Sequence, residues 1–273
     1  MSGTTHFAFR RLILELGQAP ADDATMRLAA DFARGLGLDL HGLFIQDEAL
    51  LHLAALPFAR EIRLPSHVWQ KVDTARMEAE LQHAADAARR RLGNVVEALG
   101  VQAAFEVIRG EPHLCIAGVC TPADIIVIPA YDEALPRGAA MLRAAADSAA
   151  SILLIPRRAV RRPGPVAAVA TGTDDPALPV AARIAEASKD RLVVVLPDPG
   201  QAPSPDAAAA ALGMSAERLA FRLASGLQEE DVLRGLADAH ERMVVLTPAA
   251  GARLGIADAS RLARIRAVPI LVL

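Results

Sequence analysis

Apolar residues along this chain fall into short runs rich in Val, Ile and Leu, separated by longer stretches in which Ala and Leu recur every three or four positions. The first pattern predicts strands, and the second predicts helices with one buried face. Arg11-Leu12-Ile13-Leu14-Glu15-Leu16 leads through Ala21-Asp22-Asp23 into a helix pattern at Met26, Ala29, Ala30, Ala33 and Leu36, and Leu38 to Ile45 reads as the next strand. The same order returns from Val166 to Thr171. Thr173-Asp174-Asp175-Pro176 follows, then a helix pattern at Leu178, Ala181, Ala182, Ile184 and Ala185, then the strand Leu192 to Leu196. Asp and Thr ahead of a helix supply N-cap acceptors, and Pro suits the first turn.

The two copies also end alike. Asp124-Ile125-Ile126-Val127-Ile128, an alanine-rich stretch and Ser151-Ile152-Leu153-Leu154-Ile155 correspond to Arg242-Met243-Val244-Val245-Leu246, an alanine-rich stretch and Pro269-Ile270-Leu271-Val272-Leu273. Between these, Val101 to Ile108 and Arg218 to Ala224 read as a third strand in each copy. Gly110-Glu111-Pro112 precedes a helix over Leu114 to Val119, and Gly226 with Glu229-Glu230 precedes one over Val232 to Ala239. Each copy is therefore β-α-β-α-β-α-β-α-β. Runs that are apolar throughout, rather than alternating, belong to strands covered on both faces, hence to parallel sheets. The expected fold is α/β, with two doubly wound parallel five-stranded sheets.

The boundary falls in the basic linker Arg157 to Pro165, read as solvated, and gives domains over 1–159 and 163–273. The first carries a long insert, 47–99, with an apolar stretch (Leu50, Leu51, Leu53, Leu56, Phe58) and a helix from about His67. The second has a Pro-rich loop and a short helix over Ala207 to Leu212 in its place. The apolar stretch fits three roles: cover over the first cleft, wall of an apolar ligand pocket, or partner surface.

Composition narrows the classes. The 273 residues are 53% hydrophobic but 3% aromatic, so the core is aliphatic and the chain is not disordered. A net charge of −3 gives no chain-wide attraction to nucleic acid or anionic lipid, and the Arg157–Arg162 run lacks neighbouring aromatics for base stacking. No apolar run approaches the roughly 20 residues of a membrane span. Glu15 ends the run after Arg10-Arg11 well short of a signal-peptide core. A soluble, cytoplasmic protein is expected.

The strand-one ends and the closing strand–helix–strand unit of both copies, with the Gly110-Glu111-Pro112 turn of the first, resemble a tandem universal stress protein over nearly the whole chain. The resemblance implies an adenine-nucleotide-hydrolase-like fold whose domains pair through their last strands, giving an internal pseudo-dimer and leaving a homodimer open. It also implies a stress-response role, in many members with ATP. The family's ATP pattern has an Asp after strand one, then Gly-x-x-Gly after strand four, then Gly followed by Ser or Thr. Such glycines let amides approach phosphates at a helix N-terminus. This chain has Gly17 and Thr171 at the Asp positions. After strand four the first copy reads Pro129-Ala130-Tyr131-Asp132-Glu133, which removes an amide and adds negative charge, and only Gly138-Ala139 resembles the final Gly-Ser. The second copy reads Thr247-Pro248-Ala249-Ala250-Gly251-Ala252-Arg253-Leu254-Gly255, with glycines at the wrong spacing.

The expectation is a universal-stress-like regulatory protein with an unidentified protein partner, no cofactor and no ATP dependence. Two alternatives stay open. One is a degenerate ATP or AMP site through Thr171, Thr247, Gly251, Gly255 and Gly138, with weak hydrolysis as its enzymatic extension; the other is an apolar ligand in the first domain. Gly251 and Gly255 are read more plainly as a turn glycine and a glycine at a helix start. Asp22, Asp23, Asp174 and Asp175 are read as helix caps. Cys115 and Cys120 have neither zinc nor redox spacing and are read as buried thiols. The seven scattered histidines offer no metal pair, and no nucleophile stands near a base, so neither catalytic nor metal residues are assigned.

Overall fold

The computed structural model describes residues 9–17, 22–63, 67–130, 136–157, 159, 162–197, 203–248 and 254–273, with 136–139 as backbone only. The strands are β1 (Arg11–Glu15), β2 (Asp39–Asp47), the hairpin β3 (Arg60–Arg63) and β4 (Val68–Lys71), β5 (Ala103–Gly110), β6 (Asp124–Ala130) and β7 (Ser151–Pro156). They continue with β8 (Val166–Val169), β9 (Leu192–Leu196), β10 (Leu219–Leu223), β11 (Met243–Leu246) and β12 (Ile270–Val272). Hairpin apart, these strands form one ten-stranded sheet in the order β10-β9-β8-β11-β12-β7-β6-β1-β2-β5.

Each half has the same spatial order, third-second-first-fourth-fifth, and is parallel throughout. The halves meet where β12 runs antiparallel to β7, pairing Ile270 with Leu154, Leu271 with Leu153 and Val272 with Ile152. The two expected five-stranded sheets are thus joined through their last strands into one ten-stranded sheet. Both last strands are wholly buried aliphatic runs, and two such edges satisfy their backbone groups by pairing with each other.

Helices cover both faces, and alternate strand residues feed two cores. Leu12 and Leu14 belong to the core on the face covered by α1 (Asp23–Leu36), α3 (Thr74–Leu99), α6 (Ala177–Ser188) and α7 (Pro205–Leu212). Ile13 and Ile126 belong to the core on the face covered by α4 (Pro112–Val119), α5 (Pro136–Ala146), α8 (Glu229–Gly235) and α9 (Ile256–Arg266). The apolar stretch after β2 is α2 (Glu48–Ala55) followed by β3. Leu51 and Ala54 of α2 are buried, while Leu50, Leu53, Leu56 and Phe58 are exposed. The helix expected from His67 begins at Thr74 instead. Val68 to Lys71 pairs across the hairpin, and the Asp73 carboxylate then accepts from the Arg76 amide at 3.1 Å to cap α3.

The linker is not wholly solvated. Arg162 donates from Nε to the Glu241 carbonyl at 3.1 Å and from Nη2 to the Arg266 carbonyl at 3.3 Å. Gly164 lies so close to the His240 carbonyl oxygen that a Cβ there would collide with it.

An ion pair fixes the floor of the first half. Asp124, 2% exposed, accepts from Arg11 Nε at 2.9 Å and Nη2 at 2.8 Å, and from the amide and hydroxyl of Thr121, each at 2.8 Å. Burial alone would raise its pKa, but the Arg11 and Thr121 hydrogen bonds outweigh burial and hold it below the usual value. A depressed folded-state pKa contributes stability above the unfolded value, near 3.9, and that contribution is lost as pH falls through the folded value. Asp124→Asn is expected to cost about 1.5–3 kcal/mol near neutral pH, with the gap to wild type narrowing below about pH 4 in urea denaturation.

Candidate ligand crevices at the carboxyl edge

Doubly wound sheets bind ligands outside the carboxyl ends of their strands, where the strand order reverses. Here those points lie between β1 and β6 and between β8 and β11. The last ladder bonds, Leu16 N to Leu43 O at 2.8 Å and Ala170 N to Val195 O at 3.0 Å, place Gly17 and Thr171 at equivalent positions, as the sequence alignment expected.

In the second half, two of the expected site residues come together on a third. Asp175, 6% exposed, accepts from the Thr171 amide at 2.8 Å and hydroxyl at 3.0 Å, from the Ala177 amide at 2.9 Å, and from the Thr247 hydroxyl at 2.9 Å. One carboxylate thus ties the end of β8, the start of α6 and the end of β11. Read from sequence as a helix cap, Asp175 does donate acceptor capacity to α6 through Ala177, but three of its four bonds go to the two threonines. Gly255 is separate from this cluster. It is the N-cap of α9, and its amide donates to Asp258 Oδ2 at 2.9 Å. Gly138 lies in α5 of the other half, and Gly251 lies outside the described residues.

In the first half, the counterpart of Thr171 has no room for a side chain. A Cβ on Gly17 would stand 2.9 Å from the Ile45 carbonyl oxygen and 3.1 Å from Glu15 Oε1. Glu15, 4% exposed at the end of β1, accepts from the Gly17 amide at 2.6 Å. Sequence reasoning gave this buried carboxylate no role. Beside it opens a crevice of about 440 Å³, walled by Phe44, Ile45, Leu50, Leu81 and Met141 and floored by Gly17. Asp47 and His113 line it as well. Asp47 caps α2, accepting from the Ala49 amide at 3.0 Å and the Leu50 amide at 3.4 Å, while His113 Nε2 stands 3.4 Å from Glu111 Oε2. Leu50 is thereby a wall residue of the crevice, whereas its neighbours Leu53 and Phe58 face away into solvent-exposed positions.

Asp22 and Asp23 have structural roles, while Asp174 is exposed. Asp22 caps α1 through the Thr25 amide at 2.7 Å, and Asp23 pairs with Arg91 at 2.8 Å. Among the described residues, no three His, Cys, Asp or Glu side chains gather as a metal site, and no helix is long and apolar enough to cross a membrane. Cys115 and Cys120 are free, Cys115 only half-buried, and burial raises both thiols, Cys120 to about 11. Neither is a ready thiolate at neutral pH.

No family profile matches the chain, and no curated protein matches it. Among solved structures, a universal stress protein from Archaeoglobus fulgidus is similar to it with a TM-score of 0.66 at 14% identity, covering 97% of this chain and 96% of that one. A functionally unknown protein from Pseudomonas aeruginosa is similar with a TM-score of 0.57 at 16% identity, covering 98% and 93%. At these identities the likeness is one of fold, and it extends over both halves and the sheet that joins them.

Proposed function

We propose that this chain is a tandem universal-stress-like protein, with domains over 1–159 and 163–273, that acts in the cytoplasm as a regulatory binding module of the stress response without depending on ATP. Asp175 is the observation that carries the reading. Thr171 and Thr247, the side chains that a degenerate nucleotide site would use, spend their hydroxyl donors on that buried carboxylate. A phosphate beside it would meet a like charge in a setting of reduced dielectric. The Gly17 position supports the same reading, because it excludes the carboxylate that the resemblance places after strand one. On this reading the protein needs no cofactor, is no enzyme, and works through a protein partner.

Nucleotide titration tests it. Nucleotide-stripped protein mixed with ATP, ADP or AMP and Mg²⁺ is expected to give flat calorimetric traces and unchanged thermal unfolding. A true site filled at 100 times its Kd would add about 2.7 kcal/mol of stability. A micromolar ATP or AMP site overturns the proposal and returns the degenerate-site alternative.

The first-half crevice favours one further reading, an apolar small ligand held there. Its 440 Å³ lies within the range of small-molecule sites, and Phe44, Leu50, Leu81 and Met141 supply an apolar wall. Protein purified natively and sprayed intact is then expected to carry a bound mass of a few hundred daltons. Its absence from repeated preparations counts against this second reading and leaves the first untouched.

A further inference from the structure

A second cavity, of about 490 Å³, lies between the two halves on the face covered by α1 and α6, and it shares no lining residue with the first-half crevice. Both halves build it. α1 contributes Leu28, Phe32 and Gly35, β7 contributes Leu153 and Ile155, and Met243 lies at the start of β11. Among the described residues its charged lining is three arginines, Arg34, Arg162 and Arg242, and one acid, Asp31. Two of these arginines have carboxylate partners. Arg34 Nη2 stands 2.9 Å from Asp31 Oδ1, and Arg242 Nε stands 3.0 Å from Asp190 Oδ2. Arg162 differs: its guanidinium donates to the Glu241 and Arg266 carbonyls and, among the described residues, has no carboxylate partner.

We propose that this cavity binds an organic anion with a short apolar body, its charge at Arg162 and its body against Phe32, Leu153 and Met243. The two carbonyl bonds orient the Arg162 guanidinium without cancelling its charge. A fixed, half-buried guanidinium bonds a carboxylate, sulfonate or phosphate more strongly than a mobile surface lysine does. The volume suits a small ligand, and the aliphatic floor rewards an apolar body over a bare inorganic ion. Because α1 belongs to one half and β11 to the other, such a ligand bridges the halves. The site is independent of the nucleotide question above.

Sodium decanoate, kept below its micelle concentration, is the probe, and decyltrimethylammonium is the matched cation. Calorimetry is expected to give saturable one-to-one binding of decanoate and none of the cation. Gly35 is exposed at the rim of the cavity and a Cβ there meets nothing within 4 Å, so Gly35→Phe adds a ring at the cavity mouth without a clash. It also replaces a helix glycine, which should leave folding intact or improved. This variant is expected to weaken decanoate binding at least tenfold, and Arg162→Gln to do the same. Ala140→Phe, in the first-half crevice, is expected to leave binding unchanged. The proposal is overturned if wild type does not bind decanoate, if the cation binds equally well, or if Gly35→Phe binds as wild type does. Loss in Ala140→Phe with retention in Gly35→Phe would move the ligand to the first-half crevice and overturn it too.

Discussion

Arg266→Met is expected to lower the stability of this protein by about 3–5 kcal/mol, read from the midpoint of urea denaturation at unchanged slope. Glu241 is fully buried, and its two carboxylate oxygens take Arg266 Nε and Nη2, each at 2.8 Å. Arg266 Nη2 also donates to the Leu236 carbonyl at 2.9 Å, and the hydrogen bonds to Glu241 raise the guanidinium pKa further. Methionine fills much of the space but leaves the buried carboxylate without its bidentate partner. The double variant Glu241→Leu/Arg266→Leu is expected to regain most of the loss, since exchanging a whole buried pair for apolar groups costs little. A double variant as unstable as Arg266→Met would show that packing, not the unpaired charge, governs the effect.

Asp175→Ala is expected to cost about 2–4 kcal/mol in the same measurement. Four donors converge on this side chain, and the alanine leaves the Thr171 and Ala177 amides without their acceptor. Two of the four are hydroxyls that can turn to water, because Thr171 is exposed and Thr247 half-buried. Hence the cost stays below four full hydrogen bonds. Asp175→Asn is expected to fall between, as one carbonyl oxygen still accepts while the amide group faces donors. An alanine variant within 0.5 kcal/mol of wild type would mean that the cluster is solvated and does not tie β8, α6 and β11 together.

The repeat was legible because each strand is a continuous aliphatic run and each helix keeps one alanine-rich face. Leu12-Ile13-Leu14 and Val193-Val194-Val195, each within a short uninterrupted aliphatic run, read as doubly covered strands, and they are buried as expected. Boundaries shifted where two elements shared one composition. Val68 to Lys71 looked like the start of a helix, and only its pairing with Arg60 to Arg63 makes it a strand. The site was legible in part. Thr171 and Thr247 were picked out by their places after strands one and four, but Asp175 lies 72 positions from Thr247, and no local pattern links them. A carboxylate before a helix reads as a cap whether it serves that helix alone or three elements at once. The glycine at position 17 was visible too, while the reason for it, the Ile45 carbonyl, belongs to the neighbouring strand. The cavity between the halves is assembled from α1, β7, the linker and the start of β11, so no window of sequence contains it.

The seam between β7 and β12 is only three residue pairs long. Between two separate molecules so short a junction would depend on how many copies are present. Here the chain from Arg157 to Pro165 tethers the first half, at the end of β7, to the second, at the start of β8, and short tethers set effective concentrations in the millimolar range. The pairing is therefore first-order in this protein. It holds at any dilution, so the two halves stay in register however scarce the protein becomes.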